Sequence, residues 1–249
     1  MAGLAVEDLS VTYGQAIRAV EGVSLDMQGG AITALLGANG AGKSTVLKAI
    51  SGLLAFEHGR VTAGRVTLDG APIDGMRAHA RARMGVMHVR EGRHILPAMS
   101  VEENLAVAGF AAPRRTRAET RRMAERIYEH FPVLGERRRS TAGYLSGGEQ
   151  QMLAIGRALA AEPKVMLVDE ASLGLAPLIA ERIFEIMARI NREEGLTILV
   201  VEQNVGLALR HAAHVAILEN GRITASGTPA EVGTRDEIAA RYLGRSEAA

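Results

Sequence analysis

The chain has 249 residues, 47% hydrophobic and 23% charged, the composition of a folded globular protein, which excludes a disordered or fibrous one. Its 29 Lys and Arg against 28 Asp and Glu leave a formal charge of +1, too balanced for the basic footprint of a dedicated nucleic-acid binder. With no cysteine and 3% aromatics, a disulfide scaffold, a thiolate metal site and a base-stacking path for single strands are all disfavoured.

Glu7 and Asp8 stand near the start with no basic-then-apolar segment, so no signal peptide is expected. Residues 4–13 and 20–27 read as strands rich in Val and Leu. Residues 31–36 are almost continuously apolar, as in a strand covered on both faces. Helical character follows over 42–54, then a strand over 65–69 closed by the Asp69-Gly70 turn and a core strand over 85–89.

Between 101 and 144 the pattern becomes helical and Arg-rich, interrupted at Pro113, Pro132 and Gly135. Arg114, Arg115, Arg117, Arg121, Arg122 and Arg126 are balanced by Glu119, Glu125 and Glu129, which suits a solvated helix face. Strands and helices then alternate: strand 165–168, helix 177–194, strand 197–201, helix 205–211 and strands 215–218 and 222–225. Such alternation predicts a parallel sheet wrapped by helices. The expected fold is α/β with an antiparallel β subdomain and an α-helical insert. Its parts are 1–90 (β portion and first half of the core), 91–145 (helical subdomain) and 146–249 (second half and C-terminal tail). The longest apolar runs, such as 196–201, are much shorter than a membrane span, so a soluble protein is expected that meets a membrane only through partners.

The sharpest local signal is Gly37-Ala38-Asn39-Gly40-Ala41-Gly42-Lys43-Ser44-Thr45, which satisfies G-x-x-x-x-G-K-S/T between a strand and a helix. A loop that wraps a polyphosphate turns its backbone N–H groups inward, and glycines keep side chains out of the way. The following helix presents its positive end to the phosphates. Lys43 adds a charge for the β and γ phosphates, and Ser44 offers a hydroxyl to Mg²⁺, which prefers oxygen ligands.

Strand 165–168 ends in Asp169-Glu170. Acids beside an apolar core are costly, but they belong at the C-terminal end of a parallel strand, where ligands bind in open sheets. Asp169 is expected to hold Mg²⁺ and Glu170 to activate an attacking water. Other strands likewise lead to polar residues: 86–89 to Glu91, and 198–201 to Glu202 and Gln203.

Leu145-Ser146-Gly147-Gly148-Glu149-Gln150 precedes an amphipathic helix. Ser146 and Glu149 fit a capping box, while Gly147 and Gly148 leave a helix N-terminus open as an anion seat. A single chain with one phosphate cradle does not need this seat. Two chains facing head to tail would, each lending its glycines to the other's γ-phosphate.

The 37–45 loop, the 145–150 motif and the 165–170 strand, in that order, resemble the nucleotide-binding subunits of ABC transporters over nearly the whole chain, from about residue 4 to 244. The resemblance implies ATP hydrolysis with ATP and Mg²⁺ as cofactors, an ATP-sandwich dimer, and coupling to transmembrane permease subunits at the cytoplasmic face of the membrane, with an external substrate-binding protein acting indirectly. No nucleic-acid partner is implied. Tyr13 resembles the aromatic that stacks on adenine, Ser172-Leu173-Gly174-Leu175 the loop that communicates across the dimer, and the insert at 101–144 the lobe that contacts the membrane subunit. Ser44, Glu91 and Asp169 would hold the metal, and Glu170 and Gln203 would act in catalysis.

Most of the family has a glutamine where this chain has Glu91, and a histidine where it has Gln203. Glu91 still offers oxygen to Mg²⁺. Gln203 still forms hydrogen bonds but does not titrate. These departures, with 101–105, Ser172 to Pro177 and 218–221, resemble the LivF-type ATPase subunits of branched-chain amino-acid importers and the related urea and amide importers. There the partner ATPase chain is usually a second, longer one, so the dimer is homo- or heteromeric. A non-transport ABC ATPase is the alternative of another class, and an Asn-Lys-x-Asp guanine-reading motif is missing.

Overall fold

The structure is a computed structural model and describes residues 2–14, 17–110, 116–233 and 237–238. Pro113, Arg114, Arg115 and the C-terminal tail beyond 238 lie outside the described residues.

The chain opens with strands β1 (Leu4–Tyr13) and β2 (Ile17–Met27), then β3 (Ile32–Leu36) and helix α1 (Lys43–Ser51). Strands β4 (Gly59–Leu68) and β5 (Ala71–Pro72), helix α2 (Ala78–Arg83) and strand β6 (Val86–Val89) follow. The helical stretch holds α3 (Val101–Ala106), α4 (Arg117–His130) and α5 (Pro132–Glu136), and leads into α6 (Gly147–Leu159). The last part alternates β7 (Val165–Asp169), α7 (Pro177–Glu194), β8 (Thr197–Glu202), α8 (Val205–His211), β9 (His214–Glu219), β10 (Arg222–Gly227) and α9 (Pro229–Val232).

Two sheets result. A four-stranded sheet runs β2-β1-β4-β5, with every pairing antiparallel. A six-stranded sheet runs β10-β9-β3-β8-β7-β6, parallel from β9 to β6 and closed by the antiparallel β10. Side chains alternate across the second sheet. Ile32, Ala34, Leu36, Met166, Val168, Ile198 and Val200 join the core beneath the helical lobe. Leu35, Val165, Leu167, Leu199 and Val201 join the core shared with α1 and the antiparallel sheet. Burial on both faces is why β3, β7 and β8 read as unbroken apolar runs.

The sequence reading differs from the structure at some borders. Helix α1 stops at Ser51, because Gly52 adopts the left-handed conformation and caps it. Strand β4 starts at Gly59 rather than 65, and its first residues are exposed, so they carry no inward-facing pattern to read. Helix α2 was not anticipated. Its Arg81 is buried and donates to the Ala49 and Ile50 carbonyls at 2.6 and 2.8 Å, satisfying orphan acceptors at the end of α1. In α4, Arg121 pairs with Glu125, while Arg126 reaches out to Glu162 and Glu194.

Candidate functional site

The loop at 37–42 connects β3 to α1 and is braced from below. The β9–β10 hairpin turns at Asn220 and Gly221, both with positive φ, and the Gly221 N–H donates to the Ala41 carbonyl at 2.9 Å. A Cβ on Gly37 would lie 2.5 Å from the Leu218 carbonyl oxygen. Gly42, the N-cap of α1, has φ 104°, and a Cβ there would lie 2.5 Å from the Ala19 carbonyl oxygen. Only glycine meets both demands. Ala38, Asn39 and Gly40 remain exposed at the loop crest.

Above the loop opens a cleft of about 410 Å³, lined by Ala19, Asn39, Gly40, Gly42, Lys43, Ser44, Thr45, Glu91, Glu170, Leu173 and Gln203. The C-terminal ends of β3, β6, β7 and β8 thus deliver their polar residues to one place. Lys43 is 4% exposed; its Nζ donates to the Ala38 carbonyl at 3.0 Å and stands 3.6 Å from Glu170 Oε1. The Gln203 Nε2 donates both to Glu170 Oε1 at 2.8 Å and to Asn39 Oδ1 at 2.5 Å. Its amide therefore ties the β8 end to the β7 end and to the loop crest. Glu170 itself has φ 47°, an uncommon value for a non-glycine residue.

Asp169 is 3% exposed and accepts a hydrogen bond from Ser44 Oγ at 3.1 Å. Burial pushes its carboxyl up from 3.8 to about 6; the Ser44 hydrogen bond opposes this and the charges of Glu170 and Glu91 add to it. Ser44, Asp169 and Glu91 form an oxygen-only donor set of the kind a hard divalent cation prefers. Among the described residues no group of three or more His, Cys, Asp or Glu could hold a metal by itself.

Tyr13 does not line this cleft. Its hydroxyl lies 3.3 Å from Thr45 Oγ1, and its ring closes against Gly59 on β4. The segment at 145–150 is also elsewhere. Leu145 is buried, and the side chains of Ser146 and Glu149 form the expected capping box at the start of α6. Ser146, Gly147, Gly148 and Glu149 line a separate, largely apolar groove of about 570 Å³ with Gly174, Leu175 and Ile179. The guanidinium of Arg93 packs against Gly147, and its Nη1 donates to Gln150 Oε1 at 3.2 Å.

Sequence reasoning did not single out Ala19, Arg93 or the bracing role of Gly221. Only Gly221 left a signal, in the Asn220-Gly221 hairpin turn.

The sequence matches the family described as ABC transporter over residues 20–173. It is 41% identical over 241 residues to the high-affinity branched-chain amino acid transport ATP-binding protein BraG of Pseudomonas aeruginosa, covering 97% of this chain and 99% of that one. It is 36% identical over 210 residues to the probable branched-chain amino acid transport ATP-binding protein LivF of Archaeoglobus fulgidus, covering 84% and 86%. Among solved structures, the ADP conformation of an ATP-binding cassette of an ABC transporter superposes with a TM-score of 0.79 at 27% identity, over the full length of both chains.

Proposed function

Because the chain belongs to the ABC transporter family of ATP-binding cassettes, we propose that it is the ATP-hydrolysing subunit of an importer for branched-chain amino acids. The observation that carries the hydrolytic part is the gathering of Lys43, Ser44, Asp169, Glu170 and Gln203 around one cleft on a glycine-built loop. The cargo is inferred from the likeness to the two branched-chain amino-acid subunits.

In the cleft as it stands, Lys43 is neutralised by Glu170 and the Ala38 carbonyl. The β and γ phosphates of ATP compete for that ammonium. Once they hold it, the Glu170 carboxylate is released from that contact and can accept a hydrogen bond from the attacking water. Gln203 keeps the carboxylate aimed, since its amide already donates to Glu170 Oε1. Ser44, Asp169 and Glu91 would hold Mg²⁺, which supplies charge neutralisation at the transferring phosphoryl group. Tyr13 would flank the base from the end of β1.

Gly147 and Gly148 line a groove separate from the cleft of the same chain. In this reading they serve the nucleotide of a second cassette, identical or different, in a head-to-tail dimer. Dimer closure on ATP and release after hydrolysis is the population shift passed to transmembrane permease subunits through the helical lobe. Among the described residues no helix is long and apolar enough to cross a membrane, and we place the protein peripherally, on the cytoplasmic face. An external substrate-binding protein would supply the cargo.

The test is reconstitution with the permease subunits that co-purify from membranes. ATP-dependent uptake of branched-chain amino acids is expected; uptake of urea or amides alone moves the cargo to the alternative reading. By calorimetry Lys43→Ala should lose tight nucleotide binding, and unchanged affinity would refute the cradle.

A further inference from the structure

Strand β8 is buried along its whole length and ends in an acid, Glu202, that is 1% exposed. A buried carboxylate is costly unless donors satisfy it. Here they do. Ser172 donates twice, from its backbone N–H to Oε1 at 3.0 Å and from its hydroxyl to Oε2 at 2.7 Å. The Gln203 N–H donates to Oε2 at 3.3 Å, and the backbone of Asn204 adds a further bond. A core-filling residue needs none of this, and nothing in the hydrolytic scheme above uses the carboxylate.

What the donors belong to is informative. Ser172 opens the loop that follows Glu170, and this loop lies between the two clefts. Leu173 lines the cleft with Lys43 and Glu170, whereas Gly174 and Leu175 line the groove with Gly147 and Gly148. The other donors begin the turn that carries Gln203. The end of β7 is also held to β8 itself, where the Glu170 N–H donates to the Val201 carbonyl at 3.0 Å. Glu170, in its positive-φ conformation, is thus held from both flanks.

We propose that Glu202 is a positioning residue for hydrolysis: its carboxylate clamps Ser172 to the start of the Gln203 turn, fixing Glu170 against Gln203 and holding the 172–175 loop between the two nucleotide-facing surfaces. The proposal rests on the ATPase reading for its consequence, not for its geometry. Glu202 touches no reacting atom. It acts through Ser172 and Gln203, and so it governs turnover rather than nucleotide affinity.

The experiment compares Glu202→Gln, Ser172→Ala and the double variant in the assembled complex. Glutamine lacks the second acceptor oxygen, and alanine lacks the hydroxyl donor. Each single variant should lower kcat about tenfold or more, the scale of a small misplacement of a catalytic group, with KM for ATP within about twofold. The double variant should be no slower than the worse single one, because both remove the same link. Backbone amides of residues 170–175 should exchange with deuterium about tenfold faster in Glu202→Gln, a readout that needs no ATPase activity. Wild-type exchange in that variant, wild-type kcat in Ser172→Ala, or losses that multiply in the double variant would overturn the clamp. Should Glu202→Gln fail to fold, Ser172→Ala decides alone, by its kcat and its exchange over the same residues. A wild-type complex that releases no phosphate would defeat the ATPase reading instead, and exchange would still judge the clamp.

Discussion

Replacing Asp169 with asparagine should make the nucleotide-free protein more stable while removing its activity. Asp169 is buried, and its carboxyl is pushed from 3.8 to about 6, first by burial and then by the charges of Glu170 and Glu91. Because its pKa is higher in the folded chain than in the unfolded one, the folded chain holds the proton more tightly between these values. Stability therefore falls as pH rises from about 4 to about 6, and the full cost of ionisation persists above that window. At 1.36 kcal/mol per tenfold change, the cost at pH 8 is about 3 kcal/mol, and at pH 5 about half as much. Asparagine keeps the acceptor that Ser44 Oγ uses at 3.1 Å and has no charge to bury. The variant should gain up to these amounts, and at pH 8 its Tm should rise by roughly 6–12 °C for a chain of this size. The assay is thermal and urea unfolding at pH 5 and pH 8, without nucleotide and with a chelator present. An asparagine variant no more stable than wild type at pH 8, or a gain identical at the two pH values, would refute the reasoning. ATP hydrolysis by the same variant should fall to background, since the carboxylate that is costly to bury is one of those proposed to hold the cation.

Three other substitutions probe neighbouring parts. Glu170→Gln should leave ATP binding intact and slow phosphate release about 10²- to 10⁴-fold; near-normal turnover in the complex would exclude the general base. Gln203→His should remain active and acquire a pH dependence near neutrality, where histidine titrates. Complete inactivity would show that the amide bridging Asn39 and Glu170 cannot be replaced. Gly42→Ala must accommodate a Cβ 2.5 Å from the Ala19 carbonyl oxygen at φ 104°, so it should lower stability by about 1–3 kcal/mol and weaken nucleotide binding. Thermal melts and calorimetry read both, and a wild-type melt would contradict the close approach.

The sequence revealed what depends on local spacing. The glycine loop at 37–42 and the strand-end acids Asp169 and Glu170 were readable because each lies within a few residues of the apolar run that positions it. Strands β7 and β8 were readable for the same reason, being buried on both faces. The first half of β4 was not, because it pairs with β1 through backbone atoms while its side chains face solvent. Helix α2 is short, and its one buried long side chain is an arginine that caps another helix, so no apolar periodicity announces it. Arg93 against Gly147 and Gln203 against Asn39 join segments 54 and 164 positions apart; spacing along the chain carries no trace of such meetings.

Glu202 lies between these cases and shows what a sequence can offer when charge is weighed against burial. Residues 198–201 are apolar, and the next position is an acid with no adjacent basic partner. Such a residue has two outcomes: it emerges into solvent at the sheet edge, or it stays inside and recruits donors. The length of the strand cannot choose between them. Register does, because β8 pairs with β3 through Leu36↔Glu202 and with β7 through Asp169↔Val201. Those neighbours carry Glu202 one position beyond the level of Asp169, beside the 170–172 turn, where it accepts from the backbone and hydroxyl groups of Ser172 and from the turn that follows β8. A charge placed there can be kept only by bonding the two turns together, and this makes an energetic necessity of burial into the geometric link between Glu170 and Gln203.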